Sequence, residues 1–356
     1  MGVRNMTELP YRKINISAIR VILDDQALYY FLLVNYWGPA LVVCFLGILT
    51  NILNIITFSK QGVRDTVNIS LLGLATSDLG SQITLFYTNI SFLPAFLELD
   101  LPFVSSDVTY VSAWSHVVFT RISTWITAYI TLERCLCVTA PLKVKNWFTP
   151  KRTVLYVIFV YVFMLASVTP IFYTARPAKI FYPLNNKTLI GISFLEDRNT
   201  IETVAFMTNN TIPTLAFCLV TICTAILVTN LQRKSKWRLQ SSNSNSTNVI
   251  SDRDKKVVKM VVLISAIFII CYLPGTAVFV YMLLDPEVRI DGVQKNLLLA
   301  VFSVLFHLES INAGVNIFIY LSMSSKFKVT FMNMFSFHNN KLFKRHKEIE
   351  KIVCVY

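Results

Sequence analysis

The spacing of charged residues constrains this chain more than any other feature of its sequence. Seven runs, each long enough to cross a bilayer, contain at most one Asp, Glu, Lys or Arg. They are Tyr36–Ser59, Thr66–Leu97, Val108–Leu132, Thr153–Ala175, Thr203–Gln232, Met260–Leu284 and Asn296–Ser325. A spanning helix needs about 20 mostly apolar residues, and only 15% of the chain is charged. The pattern therefore predicts an all-α membrane protein, a seven-transmembrane helix bundle.

The Lys and Arg residues predict how the bundle is oriented. With the N-terminus outside, 21 of them fall in inner segments and 10 in outer segments. Such a bias marks the cytoplasmic side of a membrane protein. We therefore expect a plasma-membrane protein with an extracellular N-terminus. Its net charge of +13 then faces anionic inner-leaflet lipid and requires no nucleic acid.

The segments outside the predicted spans differ in composition. We expect an extracellular segment at 1–35, the bundle at 36–325, an amphipathic membrane-surface helix at 326–336 and a cytoplasmic tail at 337–356. The surface helix is predicted because Phe327, Phe331 and Phe335 recur every four residues beside lysines. Between the fifth and sixth spans, "QSSNSNSTN" (240–248) is typical of a flexible, phosphorylatable loop.

The predicted outer segments carry glycosylation triplets and no cysteine. Asn5, Asn15 and Asn186 each begin an Asn-x-Ser/Thr triplet, which predicts a glycoprotein. All seven cysteines lie in or beside the spans or in the tail. We therefore expect no extracellular disulfide.

Five short motifs occur in the order typical of one receptor family. They are "GILTN" with Asn51, "LATSD" with Asp78, "ERC" with Glu133 and Arg134, "CYLP" with Tyr272 and Pro274 one turn after Phe268, and "NIFIY" with Asn316 and Tyr320. Together they resemble the rhodopsin-like family of G protein-coupled receptors over roughly residues 36–335. "FKVTF" (327–331) and "KSKWR" (234–238) resemble invertebrate peptide or chemosensory receptors.

The resemblance implies an activation switch at the inner end of the third span. Glu133 and Arg134 are sequence neighbours, so we expect their side chains to point apart on the helix. In the family, an acid at the start of the sixth helix locks the Arg, and Asp254 stands there. Agonist binding then swings the sixth helix out and opens a cleft for the G protein. A snorkelling Arg134 without a switch is the alternative.

Asp78 lies in mid-membrane, where the resemblance implies a sodium ion or a polar network. The predicted participants are Asn51, Asp78, Ser123, Asn312 and Asn316. Oxygen ligands suit a hard cation. A protonated or water-bridged carboxyl without sodium is the alternative.

Arg121 and Glu309 are charged residues that the family does not usually carry at these positions. Arg121 lies 13 residues before Arg134 and Glu309 lies 11 before Tyr320, which puts both roughly 17–20 Å from the inner end. An unpaired charge at that depth is costly. We expect them to pair with each other or to meet a charged ligand group; a purely structural polar network is the alternative.

The outer half of the bundle is the predicted ligand pocket. By family position its lining is His116, Thr120, Arg121, Tyr272, Thr276, Phe279, Phe306, Glu309 and Ser310. His116 stands where amine receptors carry an Asp, which argues against a monoamine ligand.

The chain also departs from the family pattern. The disulfide between the third helix and the second outer loop cannot form, Tyr272 replaces the usual Trp and Ile317 replaces the usual Pro. These departures leave the shape of the pocket lid open and allow high basal activity.

Function is predicted from the whole pattern. We expect a non-enzymatic receptor, most simply of the neuropeptide type, that activates a heterotrimeric G protein. A chemosensory receptor for a small molecule is the alternative. A secondary transporter is a more distant one, because we find no repeats. Arrestin, a receptor kinase and membrane lipid are further expected partners.

Overall fold

The computed structural model describes residues 21–182, 186–240, 252–288 and 292–335. Seven long helices and one shorter helix form the frame of these residues. They are α1 (Asp25–Gln61), α2 (Thr66–Ile90), α3 (Ser105–Thr139), α4 (Pro150–Thr174), α5 (Arg198–Gln240), α6 (Asp252–Leu284), α7 (Lys295–Met323) and α8 (325–335). Short helical turns at Pro94–Leu97, Pro141–Trp147 and Pro286–Val288 lie between them. The predicted seven-helix bundle is confirmed.

Helix α1 begins eleven residues before the predicted span. The Asp24 carboxylate accepts the Ala27 N–H at 2.7 Å, which satisfies a backbone donor that the first helical turn leaves free. The helix continues through a π-helical turn at Tyr36–Ala40, where Gly38 leaves helical geometry with ψ −113°. Gly38 precedes Pro39, whose ring disfavours helical geometry in the residue before it. The predicted boundary at residue 36 therefore marks a kink in α1, not its start.

Six of the seven long helices form a ring around α3. Helix α1 packs against α2 and α7, and α7 packs against α6. Helix α3 lies at the centre and packs against α2, α4, α5 and α6. Among the described residues, five helices are long and apolar enough to cross a membrane. Helices α2 and α3 are less apolar because their buried faces carry many polar residues, among them Gln82, Asn89, His116 and Thr131.

A β-hairpin covers one end of the bundle, called the hairpin end below; the opposite end is called the Arg134 end. Helix α4 runs directly into β1 (Ala175–Tyr182), which pairs antiparallel with β2 (Lys187–Phe194). These strands were not predicted, since only a loop was expected there.

Helix α8 docks at the Arg134 end through aromatic contacts. Phe327 is fully buried and packs with Phe58 and Tyr320, with ring centroids 5.0 and 5.4 Å away. Val329 and Met332 face outward. The amphipathic helix predicted after the last span is therefore present.

We predict that Gly47→Ala lowers the melting temperature. A Cβ at Gly47 would lie 2.6 Å from the Gln82 side chain. Gln82 cannot yield easily, because it donates to the Ser310 carbonyl at 2.7 Å and accepts from the Ser310 hydroxyl at 2.8 Å. Overpacking of this kind costs about 1–3 kcal/mol.

The matched control is Gly275→Ala, whose nearest neighbour would be Leu305 at 3.8 Å. Thermal unfolding of both purified variants in detergent measures the difference. Equal melting temperatures would contradict the packing described for α1 and α2.

Candidate functional site

A cavity of about 290 Å³ lies between α3, α5, α6 and α7. Its walls are mainly apolar and aromatic, with a few polar and charged side chains among them. The lining comprises Tyr110, Ala113, Trp114, Val117, Arg121, Phe206, Asn210, Pro213, Thr214, Phe217, Cys271, Tyr272, Gly275, Thr276, Phe279, Lys295, Leu298, Leu299, Phe302, Leu305, Phe306 and Glu309. A cleft of this size and polarity suits a small ligand or the end of a larger one.

Arg121 and Glu309 form the polar floor of the cavity. Arg121 Nη1 donates to Glu309 Oε1 at 3.3 Å, and Arg121 Nη2 donates to Asn210 Oδ1 at 3.2 Å. His116 Nε2 lies 3.3 Å from Glu309 Oε2. Arg121 and Glu309, which the sequence places at similar depths, thus form a direct ion pair between α3 and α7. Asn210 extends this contact to α5.

Three of the nine predicted lining residues lie behind the cavity wall, which corrects the predicted lining set. Arg121, Tyr272, Thr276, Phe279, Phe306 and Glu309 do line it. His116 is instead fully buried towards α2, with Nδ1 3.0 Å from the Ser81 hydroxyl. Thr120 donates to the Val117 carbonyl, and Ser310 bonds to Gln82. Family position gave the right depth for these residues but not the face of the helix.

The cavity face of α3 follows helical spacing from Arg121. Tyr110, Ala113, Trp114 and Val117 precede it by 11, 8, 7 and 4 residues, and positions so spaced share one helix face. His116 is five residues away and falls off this face. Counting back from Arg121 would have found this face of the wall. Asn210 and Lys295, which were also missed, carry no comparable signal.

A second polar cluster surrounds Asp78. Ser123 donates to Asp78 Oδ1 at 2.7 Å, and Asn316 Nδ2 donates to Oδ2 at 3.0 Å. Ser77 joins through Ser123 at 2.8 Å. Among the described side chains, two predicted members of this cluster make no hydrogen bond to the Asp78 carboxylate. Asn51 ties α1 to α7 through the Ala313 carbonyl at 3.0 Å, and buried Asn312 makes no hydrogen bond to the carboxylate.

An aromatic stack leads away from the cavity along α6. Tyr272 lines the cavity and stacks on Phe268, with centroids 4.4 Å apart. Phe268 is buried and lies 6.2 Å from Phe217 of α5. Pro274 lies inside α6 two residues beyond Tyr272, where it removes a backbone donor from the helix.

The Glu133 and Arg134 side chains meet at the Arg134 end, contrary to expectation. Arg134 Nη2 lies 2.7 Å from Glu133 Oε1, which also accepts the Thr66 hydroxyl at 2.5 Å. The long Arg side chain folds back to its neighbour, so helical spacing did not keep them apart. The side chain of Asp254, the predicted partner, lies outside the described residues. Tyr320 is buried against Phe58, with centroids 5.1 Å apart.

Hydrogen bonds fasten the hairpin to the start of α3 in the described part of the chain. Asp107, in the first turn of α3, accepts the Ile192 N–H at 2.7 Å. The Val104 N–H donates to the Ile190 carbonyl, and the Ile190 N–H donates to the Pro102 carbonyl. A Cβ at Gly191 would lie 2.9 Å from Asp107 Oδ2, so the glycine permits the close approach. The Asp107 carboxylate and two backbone hydrogen bonds thus attach the hairpin to residues 102–107.

The glycosylation triplets are only partly described. Asn186 is exposed at the hairpin turn with φ 49°. Asn5 and Asn15 lie outside the described residues.

Comparison with known proteins gives the family. A model described as "7 transmembrane receptor (rhodopsin family)" matches residues 50–320. The chain belongs to the rhodopsin family of seven-transmembrane receptors. It is therefore a multi-pass plasma-membrane receptor, not an enzyme, and its family implies a ligand and a G protein as partners. The predicted resemblance is confirmed.

The curated relatives include receptors named for a growth hormone secretagogue, for tachykinin-like peptides and for FMRFamide. The chain is 24% identical over 344 residues to the growth hormone secretagogue receptor type 1 of Mus musculus, covering 89% of this chain and 86% of that protein. It is 24% identical to the tachykinin-like peptides receptor 86C of Drosophila melanogaster, covering 78% of this chain and 54% of the relative. It is 25% identical to the FMRFamide receptor of the same fly, covering 83% and 52%. This chain thus spans about half the length of each Drosophila relative.

We predict that Asp107→Ala loosens the hairpin. Removing the carboxylate frees the Ile192 N–H, and a hydrogen bond to a charged group contributes about 1.5–3 kcal/mol. Amide hydrogen exchange in residues 187–194 should accelerate on the order of tenfold or more. Hydrogen–deuterium exchange mass spectrometry on the purified receptor measures this.

Asp100→Ala is the matched control. Asp100 contacts Lys187 of the same hairpin at 2.7 Å, but its side chain is 78% exposed, and exposed pairs contribute little. Equal amide hydrogen exchange in the two variants would show that Asp107 does not attach the hairpin to α3.

Proposed function

We propose that this chain is a cell-surface peptide receptor that activates a heterotrimeric G protein, with its N-terminus outside the cell. The observation that carries the proposal is the cavity. It reaches from Tyr110 and Lys295 near the hairpin end to the Arg121–Glu309 pair. Tyr110 lies 11 residues before Arg121, a depth of roughly 16 Å.

The names of the relatives favour a peptide over a small chemosensory ligand. Tachykinin-like peptides and FMRFamide stand in the names of two of them. The hairpin end also offers an aromatic and charged rim above the cavity. Arg198 lies over the Phe194 ring at 3.6 Å and donates to Glu202 at 2.7 Å, and Glu202 accepts the Tyr110 hydroxyl. Such a rim suits the body of a peptide whose end enters the cavity. A small chemosensory ligand held wholly within the cavity is the second candidate.

The proposed orientation and partners follow from charge. The predicted inner segments are rich in Lys and Arg, which favours the cytoplasm and contact with anionic lipid. The G protein would then bind at the Arg134 end. Arrestin and a receptor kinase would act on the Ser/Asn-rich segment 240–248, whose residues 241–248 lie outside the described part of the chain.

Signal transfer would follow the Tyr272–Phe268 stack from the cavity into the bundle. At the far end, release of Arg134 from Glu133 would free its guanidinium for the G protein cleft. The Asp78 cluster lies between the two. Its carboxylate, hydroxyl and amide oxygens fit a sodium ion by donor chemistry, and such an ion would favour the silent arrangement.

We expect fractionated tissue extract to activate G protein in cells that express this receptor. Protease treatment of the active fraction should abolish the response, because the proposed ligand is a peptide. Arg134→Ala should abolish it too while surface expression persists. Nucleotide exchange on the G protein is the readout.

Arg152→Ala is the control, because Arg152 is exposed at the same end of the bundle. A response that survives protease but not Arg134→Ala would indicate the chemosensory alternative. A response unchanged by Arg134→Ala would contradict the switch.

A further inference from the structure

The floor of the cavity is polar but balanced in charge. Arg121 and Glu309 carry opposite charges 3.3 Å apart, and their side chains are 13% and 10% exposed. The His116 ring lies beside the pair, with Nε2 3.3 Å from Glu309 Oε2 and Nδ1 3.0 Å from the Ser81 hydroxyl. An added ammonium or carboxylate would leave one charge without a counter-charge in a low-dielectric site, which is costly.

The same floor has hydrogen-bonding capacity to spare. Among the described residues, Arg121 uses two of its guanidinium N–H groups, one on Glu309 and one on Asn210; a guanidinium has five. Arg121 Nε is buried without a hydrogen-bond partner. Glu309 Oε2 lies 3.3 Å from His116 Nε2, and a carboxylate oxygen can accept a second hydrogen bond. A group that both donates and accepts would meet this demand, and an amide does so without net charge.

The cavity walls indicate which kind of ligand residue lies next to the amide. Aromatic side chains make up much of the cavity wall: Trp114, Phe217, Tyr272, Phe279, Phe302 and Phe306. Aromatic partners pack favourably against such walls. At about 290 Å³, the cavity is near the lower limit for drug-sized ligands, so it fits the end of a peptide and not its whole length.

Resting on the proposed peptide function, we propose that the ligand enters with an end whose charge is capped as an amide, next to an aromatic residue. Two sources supply this chemistry. A C-terminal carboxamide replaces the carboxylate, and an N-terminal pyroglutamyl group replaces the ammonium. Both present a carbonyl acceptor and an amide N–H to Arg121 and Glu309.

Three tetrapeptide libraries test the proposal on the full-length receptor in cells. The first has a C-terminal carboxamide after an aromatic residue, the second has pyroglutamate before an aromatic residue, and the third has both ends uncapped. We expect one capped library to activate G protein at least tenfold more potently than the uncapped one. The active library identifies the end that enters.

Neutralising either Arg121 or Glu309 should shift the receptor's preference from capped peptide ends towards charged ones. In Glu309→Gln, Arg121 loses its counter-charge, so C-terminally free acids should gain potency relative to amides. In Arg121→Gln, free N-terminal amines should gain instead. The charge-balanced double variant Arg121→Gln/Glu309→Gln should keep the preference for caps. An epitope tag reports surface expression of each variant.

The outcomes separate the two proposals. Uncapped peptides as potent as capped ones on the unmodified receptor would overturn the capped-end inference and leave the peptide receptor standing. Silence of all three libraries, beside an extract response that survives protease, would overturn the peptide function and this inference together.

Discussion

The cost of a charge inside a membrane governs this structure. Arg121 and Glu309 lie roughly 17–20 Å from the Arg134 end along their helices, where neither charge is tolerated alone. Their contact at 3.3 Å joins α3 to α7, and the Asn210 bond to Arg121 brings in α5. The three helices that must meet to satisfy these charges are three of the four that enclose the cavity. Stability and ligand recognition therefore depend on the same few atoms.

The polar interior explains why α3 can be both central and membrane-embedded. Its buried polar residues find partners on neighbouring helices: Ser123 on Asp78, Thr131 on Ser265, and His116 on Ser81 and Glu309. In lipid such groups have no water to turn to, so each must be satisfied within the bundle. A polar contact also attaches the hairpin to α3. There the Asp107 carboxylate accepts the Ile192 N–H, in place of the disulfide that is usual in the family.

Features that depend on position along one helix could be predicted from the sequence. Residue spacing was enough to predict the seven spans, the common depth of Arg121 and Glu309, and a helix after the last span. Features that depend on rotation or on a distant partner were missed. His116, Thr120 and Ser310 lie at the depth of the cavity, but their side chains do not line it. The Glu133–Arg134 contact depends on how a long side chain folds, and Asn210 meets Arg121 only because α5 lies against α3. Asp107 gave no signal, because its acceptor role exists only once the hairpin has folded over α3.

A double-mutant cycle on Arg121 and Glu309 tests the dependence on this pair most directly. We would measure the melting temperatures of Arg121→Leu, Glu309→Leu and the double Leu variant in detergent. Removing one partner of a buried pair leaves an unmatched charge and costs about 3–5 kcal/mol, whereas replacing both with apolar residues is often near neutral. We expect each single variant to melt well below the double variant. Losses that simply add, with the double variant the least stable of all, would contradict the central role given to this charge pair.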